Sequence, residues 1–169
     1  IMAKLGWSDQ QPEGRFYPDT YSFPKRMTDV AFLQRAYHAM VKELDEAWQK
    51  RSKDLPLKTP YEALILASLV EKETAVAEER PLIAGVFIQR LQKNMKLQTD
   101  PTVIYALGTA YNGNIRKRDL EIESRYNTYV NPGLPPTPIA MPGRAALQAT
   151  VNPANGDALY FVAKGNGSH

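Results

Sequence analysis

The chain has no cysteine and only two histidines, His38 and the terminal His169, among its 169 residues. Disulfide staples are therefore excluded, and a zinc site built from the usual nitrogen and sulfur ligands has almost nothing to draw on. No apolar run approaches the roughly 20 residues that a membrane-crossing helix needs. Charge of one sign is not concentrated either: 21 basic and 18 acidic residues are interspersed and leave a formal +3. No basic stripe marks a nucleic-acid surface, so a nucleic-acid partner is not expected. What remains is a 43% hydrophobic chain of a length suited to one globular domain with its own core. No metal or other cofactor is expected.

Residues 7–27, WSDQQPEGRFYPDTYSFPKRM, hold three prolines and no helical period, and read as an ordered loop with short extended pieces. From Thr28, an N-cap candidate, Leu33, Ala36, Tyr37, Met40, Val41, Leu44, Ala47 and Trp48 recur every three or four positions and predict an amphipathic helix over about 29–51. His38 lies on the polar side of that stripe, as a solvated residue. TPYE at 59–62 is a second start signal: Thr59 caps, Pro60 fits the first helical position and Glu62 completes a capping box. The helix that follows carries Ala63, Leu64, Ile65, Leu66, Ala67, Leu69 and Val70, apolar on every side, as a buried helix is. Pro81 opens another, with Ile83, Val86, Phe87, Arg90 and Leu91 in spacing up to about 94 and Gly85 suited to close packing. Asp100 and Pro101 repeat the cap-then-proline signal before a short helix that ends at Gly108.

Residues 131–143, NPGLPPTPIAMPG, carry five prolines and exclude both helix and central strand. They read as a stiff wall along a groove. A small helix over 144–150 and a strand in ALYFVAKG close the chain. The expected fold class is α+β, a mostly helical domain with a small β-sheet drawn from the N-terminal loop region, residues 96–99 and residues 159–163.

The stretch LASLVEKETAVAEERP at 66–81 turns from apolar to charged within one helical turn. On a projection of roughly 100° per residue, Glu73 falls between Leu66 and Leu69 and close to Val70. Glu71 points nearly the opposite way, beside Leu64, Ala67 and Ser68. A carboxyl group at the end of a buried helix, partly desolvated yet reaching a cleft, has its pKa raised and can hold a proton near neutrality. Such an acid suits cleavage of a glycosidic bond, in which the leaving oxygen must be protonated. The spacing leaves Glu71 and Glu73 both open, and an ion pair with Lys72 or an arginine is the structural alternative for either. Gln98, Thr99 and Asp100 precede a helix start, and Tyr126, Asn127 and Tyr129 add flat faces and hydrogen-bonding tips; all are candidates for sugar hydroxyls. Asp100 is equally a helix cap, and Tyr105 reads as core.

Four segments, EGRFYPDTY at 13–21, ASLVEKETAVAEER at 67–80, LQTDPTVIYALG at 97–108 and YNTYVNPGLPPTPIAMPG at 126–143, resemble the endolytic murein transglycosylases of the YceG-like family. The resemblance implies an enzyme that cuts peptidoglycan glycan strands internally between N-acetylmuramic acid and N-acetylglucosamine and leaves 1,6-anhydro-N-acetylmuramic acid ends, without a cofactor. It puts the family's essential glutamate on the second acid of EKET, Glu73, followed by Thr74, and leaves Glu71 a supporting place among the substrate-binding residues. It also implies a periplasmic location at the bacterial inner membrane, peptidoglycan synthases as partners, and a longer protein whose membrane helix and LysM-like module lie outside these residues. A hydrolytic muramidase, needing Glu71 or Asp100 as a second carboxylate, and a non-catalytic glycan- or synthase-binding scaffold are the alternatives.

Overall fold

Thr28 and Thr59 open the two central helices by the same device in the computed structural model, which describes residues 1–162. A four-residue helix, α1 (Met2–Leu5), precedes them. Thr28 Oγ1 accepts from Ala31 N at 3.1 Å ahead of α2 (Asp29–Gln49), and Thr59 Oγ1 accepts from Glu62 N at 3.2 Å ahead of α3 (Pro60–Glu73). Each such cap stabilises its helix by about 1 kcal/mol. Glu62 Oε2 accepts from Lys58 N, one residue before the position a capping box would use. Then come α4 (Arg80–Gln92), with Pro81 in its first turn, α5 (Asp100–Leu107) and α6 (Arg144–Val151). Short 3₁₀ turns fill Ala77–Glu79, Gly108–Ala110 and Lys117–Glu121.

The helix read as apolar on every side is the centre of the core. Every residue of α3 from 63 to 70 is buried, and α2, α4 and α6 pack around it. Leu66, Leu69, Phe87, Leu147 and Val151 interlock there, each burial contributing about 2 kcal/mol. At Gly85 an added Cβ would lie 2.7 Å from Ala154 O; its absence lets the chain after α6 cross α4, where Ala154 N donates to Pro81 O at 2.9 Å. A smaller cluster of Met2, Leu5, Phe16, Ala36 and Tyr37 ties the N-terminal loop to α2, with Trp7 stacked on Tyr37 at 3.6 Å between ring centres. His38 is exposed, as its place on the polar stripe predicts.

The expected small sheet does not form. Among the described residues there is no strand, so the architecture is helical and not α+β. Of the three expected strand segments, residue 163 lies outside the described residues. The backbone groups of the described parts of all three have different partners. Lys96 O, Leu97 O and Leu159 O accept from the Arg90 guanidinium at 3.2, 2.8 and 2.7 Å, so a side chain takes the bonds that a neighbouring strand would supply. Gln98 interrupts the extended run with a left-handed φ of 52°. In the N-terminal loop, Pro12, Pro18 and Pro24 have no N–H to donate, and Tyr17 N reaches Ala36 O of α2 at 3.0 Å.

Candidate active site

Where α3 leaves the core, its last turn divides. Ser68 and Glu71 face the proline-rich stretch: Ile139 N donates to Ser68 Oγ at 3.0 Å, and Gly143 N donates to Glu71 Oε2 at 3.0 Å. Glu71 Oε1 also accepts from Arg80 Nη2 at 3.1 Å. Glu73 faces the other way. It lines a cavity of about 310 Å³ together with Arg90, Leu97, Gln98, Asp100, Tyr129 and Phe161. The two glutamates that spacing left as equal candidates thus have separate surroundings, one an internal clamp and one a cavity wall.

Thr99 holds the Glu73 carboxylate. It occupies the N-cap position of α5, yet its hydroxyl does not cap that helix; Oγ1 donates to Glu73 Oε2 at 2.5 Å. The sequence expectation placed the cap on Asp100, which instead sits in the first turn. Thr99 is fixed in turn by two more buried threonines. Its N–H donates to Thr128 Oγ1 at 3.1 Å, and its carbonyl accepts from Thr102 Oγ1 at 2.7 Å. Thr102 has spent its one hydroxyl proton there, so in the 2.8 Å contact between Thr102 and Thr128 the donor is Thr128.

Tyr129 and Asp100 form the opposite element of the cavity, with Tyr129 Oη donating to Asp100 Oδ1 at 2.6 Å. Burial pushes the Tyr129 phenol far above its ordinary pKa, and the hydrogen bond to Asp100 and the charges of Asp100 and Glu73 add to this against the pull of Arg90. The phenol is therefore a permanent donor at physiological pH. Arg90 is buried beneath the floor, its guanidinium carbon 4.7 Å from the Tyr160 ring centre while it holds Leu97 and Leu159 in place.

The four residues of YNTY each point to a different task. Tyr126 packs its ring on Tyr105 at 4.8 Å between centres, and its hydroxyl meets Thr137 Oγ1 at 2.9 Å, away from the Glu73 cavity. Asn127 is fully buried; its amide donates to Leu120 O and Ile122 O, and its Oδ1 accepts from Tyr129 N at 2.9 Å. Thr128 braces Thr99, and Tyr129 enters the cavity. Of the residues expected at a sugar site, the fold gathers Glu73, Gln98, Asp100 and Tyr129 around one space, with Thr99 directly behind. Glu71, Tyr126 and Asn127 have internal partners elsewhere. None of residues 131–143 lines this cavity; that stretch packs on the Ser68 side of α3. A larger cavity of about 550 Å³ between α2 and α6 holds none of the candidate residues.

The model of the YceG-like family matches residues 2–169. The chain belongs to that family. A curated family relative from Bacillus subtilis (strain 168), called endolytic murein transglycosylase, is 40% identical over 155 residues, which are 92% of this chain and 42% of the relative. One of the same name from Streptococcus pneumoniae serotype 2 is 40% identical over 156 residues, 89% of this chain and 28% of the relative. The crystal structure of a yceG-like protein from Listeria monocytogenes aligns with a TM-score of 0.75 at 35% identity, covering 96% of this chain and 53% of that one. The chain thus spans under half the length of the curated relatives it matches.

Within this member of the YceG-like family, the sequence reading missed Arg90, Leu97, Phe161 and Thr128. Arg90 did leave a signal, because it occupies an apolar position in the spacing of α4, where a charge needs buried partners. The other three have ordinary apolar or capping character, and only the chain's path brings them to the site.

Proposed function

We propose that this chain carries the cleaving site of an endolytic peptidoglycan lytic transglycosylase, with Glu73 acting first as acid and then as base. The observation that carries the reading is the position of Glu73, which ends a buried helix and lines a cavity with Gln98, Asp100 and Tyr129. The names of the curated relatives support the same reaction class.

Protonated Glu73 gives its proton to the glycosidic oxygen between N-acetylmuramic acid and N-acetylglucosamine. The bond from that oxygen to the muramic anomeric carbon breaks, and the electron pair leaves with the oxygen. Ionised Glu73 then takes the proton of the C6 hydroxyl, which attacks the anomeric carbon of its own sugar and closes the 1,6-anhydro ring. The acid is regenerated and no water is consumed. An intramolecular attack of this kind gains from a high effective concentration, up to about 10⁵ M or more for well-aligned groups. Gln98, Asp100 and Tyr129 supply acceptors and donors for sugar hydroxyls at the cavity rim. In the cell the reaction would trim or terminate nascent strands beside peptidoglycan synthases at the outer face of the inner membrane. Among the described residues no helix is long and apolar enough to cross a membrane.

The presence of a second carboxylate, Asp100, in the same cavity favours one competing reading, a water-using muramidase. Digestion of uncrosslinked glycan strands by the wild type and by Glu73→Gln, followed by mass spectrometry, separates the two. Anhydro ends, one water lighter than reducing ends, are expected from the wild type and none from the variant. Reducing ends alone would overturn the transglycosylase reading, and full cellular function of Glu73→Gln would favour a scaffold.

A further inference from the structure

We propose that Thr99 is a positioning residue for Glu73: its hydroxyl, aimed by Thr102 and Thr128, keeps Glu73 Oε2 as the accepting oxygen and so puts the transferable proton on Oε1. The inference rests on the reading of Glu73 as the acid.

Three observations converge on it. Thr99 stands where a threonine hydroxyl ordinarily caps a helix, and α5 forgoes that bond. The hydroxyl goes instead to Glu73 Oε2 at 2.5 Å, the length of a charge-assisted bond. Its backbone is bound on both sides by buried threonines, with N–H to Thr128 and C=O from Thr102, so rotation of the residue would break bonds that have no water to replace them. Thr128 closes the set by donating to Thr102. The backbone before it is also constrained, since Gln98 takes a left-handed φ of 52° and its N–H donates to Thr128 O at 3.2 Å.

A carboxylic acid has one oxygen that donates and one that accepts. A proton on Oε1 keeps the Thr99 hydroxyl donating to Oε2, whereas a proton on Oε2 would require that hydroxyl to turn and accept, giving up the bond it makes here. Thr99 therefore selects which oxygen delivers the proton to the glycosidic bond and which receives it back from the C6 hydroxyl. The same donor binds the ionised form more tightly, which holds the carboxyl's pKa below the value it would have without Thr99. Among the described residues, the other charged or titratable groups lining the cavity are Arg90 from α4, Asp100 from α5 and Tyr129 from the loop after the Lys117–Glu121 turn.

The test compares Thr99→Val, which keeps the shape and removes the donor, with Thr99→Ser, which keeps the donor, in steady-state cleavage of uncrosslinked glycan strands across pH. Thr99→Val is expected to lose kcat roughly 10- to 100-fold with KM little changed. Its alkaline limb in kcat/KM is expected to move to higher pH, because the ionised acid has lost a donor. Thr99→Ser should keep kcat within about threefold and leave the limb in place. A loss in KM with kcat intact would make Thr99 a sugar contact and overturn the proposal, as would an unmoved limb in Thr99→Val. The Thr99 side chain does not cap α5, so the valine variant should fold with α5 intact and a midpoint lowered by the loss of one hydrogen bond; if it does not fold, Thr99→Ala is read against the same criteria. Glu73→Gln is run alongside. If it still forms anhydro ends, the reading of Glu73 falls and the proposal with it; if it is inactive while Thr99→Val is not impaired, the positioning role alone falls.

Discussion

Tyr129 and Asp100 meet across the rim of the Glu73 cavity in a 2.6 Å hydrogen bond, the phenol donating and the carboxylate accepting. Burial, that bond and the nearby acids all raise the phenol's pKa. A group whose folded pKa lies above its unfolded one contributes stability that is complete below the unfolded value, about pH 10 for tyrosine, and is lost as pH rises toward the folded value. Wild-type stability should therefore fall above about pH 10 more steeply than that of Tyr129→Phe. Denaturation midpoints collected across alkaline pH check this, and parallel curves would refute it. In glycan cleavage the phenylalanine variant is expected to lose roughly tenfold, the loss of one hydrogen bond to a charged group.

Arg90 satisfies carbonyls from two segments, the farther of which, at Leu159, lies 69 residues from it in sequence. Truncation to methionine keeps the stem and strands Lys96 O, Leu97 O and Leu159 O. The expected cost is about 3 kcal/mol in denaturant unfolding. Lysine should recover little of it, because a single ammonium cannot reproduce the guanidinium fork. A loss under about 1 kcal/mol for the methionine variant would show that the carbonyls find other partners.

Glu71 is expected to separate stability from chemistry. Glu71→Ala removes both the acceptor of Gly143 N and the partner of Arg80, in a pair whose side chains are only 27% and 14% exposed. A loss of about 1–3 kcal/mol in stability should accompany anhydro-product formation that persists below the unfolding temperature. Loss of product formation by a variant that is still folded would return Glu71 to the substrate.

The helical parts of this fold were legible because their signals are local. Thr28, Thr59 and Pro60 announce helix starts, and the apolar surround of Leu64 to Val70 marks a buried element without any knowledge of its neighbours. The projection of α3 also separated Glu71 from Glu73 correctly in direction. What failed were inferences that depend on partners distant in sequence. Residues 96–99 and 159–162 have strand-like composition, but the guanidinium of Arg90 takes carbonyls from both segments, and no local pattern foretells that. Thr99 and Asp100 are both good capping types, so composition could not say that neither hydroxyl nor carboxylate would be used in the ordinary way. Asn127 reads equally as a surface amide or an internal tie; only the path of residues 117–131 makes it the latter.

The proline-rich stretch never enters the cavity, yet it fixes where the cavity's acid stands. Ile139 and Gly143 hold one side of the last turns of α3 through Ser68 and Glu71, while Thr99 holds the other through Glu73. Proline leaves few backbone states open to this stretch. It therefore serves as a datum plane: the tolerance on the carboxylate is set from behind, by a surface that lies outside the cavity.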